Sequence, residues 1–169
     1  MHSMSNILTL WSIGLVSSEA VVAWADDQIL KSDHAPQGLS ELSIYGPKAC
    51  LRRPEFDFPA RPLKLPFETH FSALAITADT SSDSVALGLV RWTAYQALGQ
   101  SFDAPLVSFG YRLFHLLDDC NDCYGAVNLL RLELPKMLPR CRQVAGPLLD
   151  SVPREWICSP SFEDHGSSI

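Results

Sequence analysis

The densest set of reactive side chains in the sequence is the run His115-Leu116-Leu117-Asp118-Asp119-Cys120-Asn121-Asp122-Cys123. Two cysteines with two residues between them are a common half-site for zinc, and His115 lies about one helical turn upstream of the pair. Cys141 or Cys158 would complete a four-ligand set. A typical structural site, however, carries a second knuckle of the same kind, and Cys141 and Cys158 stand far apart with none between them. Asp118, Asp119 and Asp122 also surround the pair with negative charge, which works against a reactive thiolate. No strand-then-helix pattern precedes the pair to mark a redox motif. The plainer account is an acid-rich turn between two helices with two incidental thiols. A zinc site of His115, Cys120, Cys123 and Cys141 stays open as the alternative, and a disulfide or redox role as a third. His115 itself reads as a surface residue whose imidazolium Asp119, four positions on, can hold.

Elsewhere, single residues carry less chemistry. His70 lies between Phe67 and Phe71, where a satisfied, partly buried imidazole is commoner than a base. The pairs Asp26-Asp27 and Asp118-Asp119 have the residue types for acid–base or metal work, but a solvated helix face explains them with fewer assumptions. The sequence holds no Gly-x-Ser-x-Gly elbow, His-Glu-x-x-His, Gly-x-Gly-x-x-Gly or Walker-type loop;. These absences lower the expectation of an enzyme built on those motifs and leave open a site assembled from separated residues. The four tryptophans read as core anchors.

Something must hold these residues in place, and composition says what kind of body that is. The 169 residues are 47% hydrophobic and 19% charged, which excludes an extended disordered chain;. A chain of this length removes about 70% of its unfolded surface from water without staples. Five cysteines, an odd number, are too few for a disulfide scaffold;. With 13 Lys+Arg against 19 Asp+Glu the net charge is -6, so a general affinity for nucleic acid is not expected. No stretch of about 20 residues stays apolar, so no transmembrane helix is expected. The run Ile7–Val16 followed by Ala23-Trp24-Ala25 imitates a secretory signal. No Lys or Arg precedes it and Glu19 interrupts it, so mature structure and a cytoplasmic protein are the favoured reading.

Periodicity points to helices throughout. Residues 4–13 form the first, closed by Gly14 in the left-handed conformation. Ser17 caps a second over 18–31, with Val21, Val22, Ala25 and Ile29 on one side and Asp27 set four residues before Lys31. Pro36 opens a short third helix carrying Leu39, Leu42 and Ile44, stopped by Gly46-Pro47. Leu10, Trp11, Trp24 and Leu42 then form one helical layer. Helices follow over 67–78 and 84–98, the latter apolar on most sides and therefore central. Asp103 caps the next, with Pro105 in its first turn and Leu106, Phe109, Leu113 and Leu117 facing inward. Asp122 caps a helix through Leu134. Pro135 and Pro139 break the chain beyond it, and an amphipathic stretch runs from Arg140 to Leu149. No window alternates as a strand does. The fold class is all-α, one compact multi-helix domain over 1–158 with a flexible tail over 159–169.

Residues 47–66 differ from their surroundings. They hold five of the 12 prolines, and their five basic residues face only Glu55 and Asp57. So long a loop inside a domain is usually functional or a linker. It serves either as a partner-docking segment, with Phe56 or Phe58 as anchor among Arg52, Arg53 and Arg61, or as a crossing whose phenylalanines plug the core. The second account is slightly favoured.

The string Gly14-Leu15-Val16-Ser17-Ser18-Glu19-Ala20-Val21-Val22-Ala23-Trp24-Ala25-Asp26-Asp27, with Pro36, Leu39 and Glu41-Leu42-Ser43 after it, resembles the opening of small bacterial α-helical proteins, among them immunity proteins of polymorphic toxins. That resemblance covers the first 45 residues or so. It implies a non-catalytic domain that blocks a partner by binding, and it assigns no functional residues. An acidic chain suits a basic protein partner through charge complementarity, with Asp26, Asp27, Asp118, Asp119 and Asp122 as the candidate contacts. Oligomeric state is open.

Overall fold

The computed structural model describes residues 2–52, 58–101 and 103–162. Among them the chain is all-α, with seven α-helices, one π-helical turn, one short 3-10 turn and no strand. No helix among the described residues is long and apolar enough to cross a membrane. The helical domain expected over 1–158 is built as two compact units. One comprises residues 1–64 and 148–158, the other residues 65–147 and those described after Cys158.

The first unit holds α1 (His2–Ser12), α2 (Ser18–Leu30) and α3 (Leu39–Arg52). Gly14 has φ 79°, and this left-handed turn, open to glycine at no steric cost, ends α1. Ser17 caps α2 by accepting the Ala20 N–H at 3.1 Å, a contact that contributes about 0.5–2 kcal/mol. Asp27 and Lys31 pair at 2.7 Å across one turn of α2. Ile7, Leu8, Leu10, Val21, Trp24, Ala25, Leu39 and Leu42 are buried, each large apolar side chain among them contributing roughly 1.5–3 kcal/mol by leaving water. Trp11 is half-buried and donates its indole N–H to Ser18 Oγ at 3.0 Å. Cys158 returns to this unit, its N–H bonded to the Leu15 carbonyl at 3.0 Å.

The third helix differs from expectation at both ends. Its first turn starts at Leu39, after Gly38 at φ 94°, so Pro36 lies in the preceding turn. Gly46 has φ 72° and ψ 169° and kinks the chain, but helix resumes at Pro47 and runs to Arg52. Proline suits that place because the first turn of a helix needs no N–H from it. The loop therefore begins after Arg52 rather than at residue 47. Ile44 points out, 71% exposed.

The second unit holds α4 (Phe67–Thr77), α5 (Asp83–Ala97), α6 (Pro105–Phe114), a π-turn (His115–Asp119) and most of α7 (Cys123–Leu149). Phe67 stacks on Trp92 with ring centroids 5.8 Å apart, joining α4 to α5. Arg140 of α7 binds Glu68 of α4 at 2.9 Å. Arg131 donates to the Thr80 and Ser81 carbonyls and pairs with Asp83, tying α7 to the start of α5. Contrary to the central position expected for it, α5 buries one broad face (Ala86, Leu89, Val90, Thr93, Ala94, Ala97) and exposes Arg91 and Tyr95.

Two further expectations are corrected. Asp103 does not cap α6: Ala104 occupies the cap position without a side-chain bond, and the Asp103 carboxylate accepts the Ser101 hydroxyl instead. Pro135 and Pro139 do not break α7, which runs through them and Pro147. Their spacings of four and eight residues keep all three prolines on one side of the helix, and all three are exposed. The carbonyls that lose their N–H partners then sit on the watered side, while Leu130, Leu134, Cys141 and Ala145 keep the opposite side buried;. Of the tail expected over 159–169, residues 159–162 are described. Ser159 Oγ accepts the Asp79 N–H at 3.1 Å, Pro160 is buried, and Phe162 lies on Gly88 of α5. Residues 163–169 lie outside the described part.

Candidate functional site

Where α6 gives way to α7, the backbone changes its hydrogen-bond step. The Cys120 N–H reaches the His115 carbonyl, five residues back, at 3.0 Å, the signature of a π-turn. In an α-helix, residues i+3 and i+4 flank residue i, and i+5 faces away. The wider π-turn brings i+5 around, so that Asp119 and Cys120 flank His115 together. Asp119 Oδ2 lies 2.7 Å from His115 Nδ1. Cys120 Sγ lies 3.5 Å from His115 Nε2. One imidazole thus bridges a carboxylate and a thiol through its two ring nitrogens.

Two residues fix the end of this turn. Asn121 adopts the left-handed conformation at φ 51°, which asparagine tolerates better than most residues. Asp122 then caps α7: its Oδ1 accepts the Gly125 N–H at 2.7 Å, and its carbonyl accepts the Ala126 N–H at 3.1 Å. A side chain at position 125 would collide with the Asp122 carboxylate, so glycine there is part of the cap. The cap expected at Asp122 is therefore present. Cys123 is the first residue of α7, where helix N–H groups have no intrahelical partner;.

The structure distributes the expected site residues unevenly. His115, Asp119 and Cys120 meet in the π-turn, with Cys123 three residues on. Cys141 cannot join them. It lies 18 residues along the same helix from Cys123, roughly 27 Å at 1.5 Å per residue;. It is buried, burial raises its thiol above the usual range, and a Ser72 hydrogen bond opposes that shift. Cys158 belongs to the first unit, its Sγ against the Leu15 carbonyl at 3.3 Å. Among the described residues no three His, Cys, Asp or Glu side chains are grouped so as to hold a metal ion. The zinc set His115, Cys120, Cys123 and Cys141 is therefore not assembled.

The carboxylates have separate employments. Asp26 accepts the Ser43 hydroxyl, which links α2 to α3, and Asp27 holds Lys31. Both belong to the first unit, whereas Asp118, Asp119 and Asp122 belong to the second. Asp118 and Tyr124 make no polar contact among the described residues, and Tyr124 is 78% exposed.

Of the loop residues, Phe58 is 3% exposed and so serves the core of the first unit, not a partner. Beside it Pro59 packs on Gly38, and Leu63 N–H bonds to Thr9 Oγ1 at 2.7 Å, pinning the segment to α1. Arg61 is exposed and donates to the Phe58 and Ala60 carbonyls. Arg52 is exposed at the end of α3. Arg53 and Phe56 lie outside the described residues. Comparison with protein-family models, curated proteins and solved structures finds no match to the chain.

Proposed function

We propose that the protein is a binding domain that engages a basic protein partner through the turn between α6 and α7. The observation that carries this reading is the placement of Tyr124 directly beyond the acidic turn. An aromatic residue 78% exposed adjoins Asp118, Asp119 and Asp122, all exposed as well. Tyrosine is enriched among residues that dominate binding energy, and carboxylates around it speed association with a basic surface. The net charge of -6 favours a protein partner over nucleic acid;. Inhibition by occupancy, as in immunity proteins, and a cytoplasmic setting fit this reading.

The test compares wild type with the triple variant Asp118→Asn, Asp122→Asn, Tyr124→Ala, each purified gently from the native host and weighed by native mass spectrometry. Asparagine caps a helix as well as aspartate does, so α7 keeps its start. The expected result is a basic polypeptide retained by wild type, with at least tenfold weaker retention by the variant. Equal retention, or no basic polypeptide on wild type, would overturn the reading.

A further inference from the structure

We infer that Cys120 and Cys123 form a thiol–disulfide exchange site, with His115 as the proton acceptor for Cys120 and Asp119 as the residue that positions His115. The inference is independent of the binding reading. It rests on the geometry of three side chains and the placement of a fourth.

A thiol becomes a nucleophile when its proton has somewhere to go. Here Cys120 Sγ faces His115 Nε2 at 3.5 Å, and Asp119 Oδ2 holds the opposite ring nitrogen at 2.7 Å. That bond places the Nδ1 hydrogen toward the carboxylate and leaves the Nε2 lone pair directed at the thiol, the order of nucleophile, base and orienting acid that recurs in covalent catalysis. The π-turn builds this order, since without the i+5 step Cys120 would leave the imidazole. Cys120 is exposed, so a disulfide in solution reaches it without any opening of the fold. The negative charge nearby is largely committed: Asp119 to His115, Asp122 to the start of α7.

The second thiol decides between chemistries. A lone nucleophile with a base would serve acyl transfer as well. Cys123 stands three residues on, at the first position of α7 where helix N–H groups favour negative charge;. A resolving thiol so close turns a mixed disulfide into an internal one. In the first step His115 Nε2 takes the Cys120 proton, the thiolate attacks one sulfur of a substrate disulfide RS–SR, and the S–S bond breaks. One RS group stays on Cys120, and the other leaves and takes the proton from His115 as RSH. In the second step Cys123 attacks the Cys120 sulfur and expels the remaining group as a second RSH. The protein loses two electrons and two protons, and one small-molecule disulfide becomes two thiols.

The experiment uses oxidised glutathione with the fully reduced, full-length protein, followed by intact mass and peptide mapping over time. The chain supplies its own controls. Cys158 is an exposed thiol without a histidine against it, and Cys50 and Cys141 are buried and report the fold by staying unmodified. In wild type, Cys120 is expected to react at least tenfold faster than Cys158 and to end joined to Cys123. Cys123→Ser should stop at the glutathione adduct on Cys120. His115→Asn should bring Cys120 to the rate of Cys158. Asp119→Asn should slow Cys120 alone, with Asp119→Glu restoring part of the rate. Equal rates at Cys120 and Cys158 in wild type would overturn the proposal. So would an unchanged Cys120 rate in His115→Asn while Cys50 and Cys141 remain protected.

Discussion

Gly110 of α6 lies directly against Ala97 of α5, so closely that a methyl group at position 110 would overlap the Ala97 methyl and come within 3.1 Å of the Thr93 carbonyl. The two helices touch backbone to backbone, and both residues are fully buried. Overfilling such a contact costs about 1–3 kcal/mol. Gly110→Ala should therefore lower the stability of the second unit by up to about 2 kcal/mol, the overfilling cost less the roughly 1 kcal/mol that the better helix propensity of alanine returns. A urea midpoint equal to or above that of wild type would show that the helices separate without cost.

The contact between Gly88 and Phe162 is of the same kind but involves a strap. A side chain at 88 would overlap the Cβ and ring of Phe162, so Gly88→Ala should lift residues 159–162 from α5. Chymotrypsin, which cleaves after aromatic residues, is expected to cut at Phe162 several times faster in the variant. Unchanged cleavage would mean that the strap shifts sideways and stays bound.

Much of the helical order is legible in the chain because its signals are local. Ser17 and Asp122 carry capping side chains, Gly14 carries the left-handed stop, and Asp27-Lys31 and His115-Asp119 carry the four-residue spacing, and all appear as expected. The π-turn is not legible. Nothing in His115-Leu116-Leu117-Asp118-Asp119-Cys120 distinguishes an i+5 step from an α-helix that ends in an acidic turn, so on helical spacing the thiol stands one residue out of reach of the imidazole. Proline misleads for a related reason. Read singly, Pro135 and Pro139 are breakers, and only their place with Pro147 on the exposed side of α7 explains why the helix continues. Phe58 is assigned inside by only a slight preference, because a proline-rich segment has no periodicity to decide it, and its burial agrees with that preference.

That row of prolines makes a quantitative statement. Pro139 is exposed, and its ring takes the place of an N–H that would reach the Pro135 carbonyl;. Alanine in a helix interior is favoured over proline by about 3 kcal/mol. The freer unfolded chain returns up to about 1 kcal/mol of that. Pro139→Ala should thus stabilise the protein by roughly 2 kcal/mol, read as a higher urea midpoint. A loss of stability would mean that α7 needs the bend these prolines impose.

His70 gives the protein a defined response to acid. Its ring lies 4.5 Å from that of Trp92, half-buried between α4 and α5. Burial holds its folded pKa below the ordinary imidazole value of 6.5. In the window between those two values the unfolded chain binds a proton at residue 70 that the folded chain refuses, so stability rises with pH there. Above the ordinary value both forms are neutral and the native packing is at full strength. As pH falls through 6.5 and on through the lowered folded value, stability is lost, and below both values the loss is complete and constant. His70→Asn removes the titrating group. Melting temperatures of wild type and variant, measured at about pH 7.5 and about pH 5, on either side of the imidazole range, should therefore differ in their pH dependence, with wild type falling further on acidification. Parallel declines would place the acid response in the carboxylates instead.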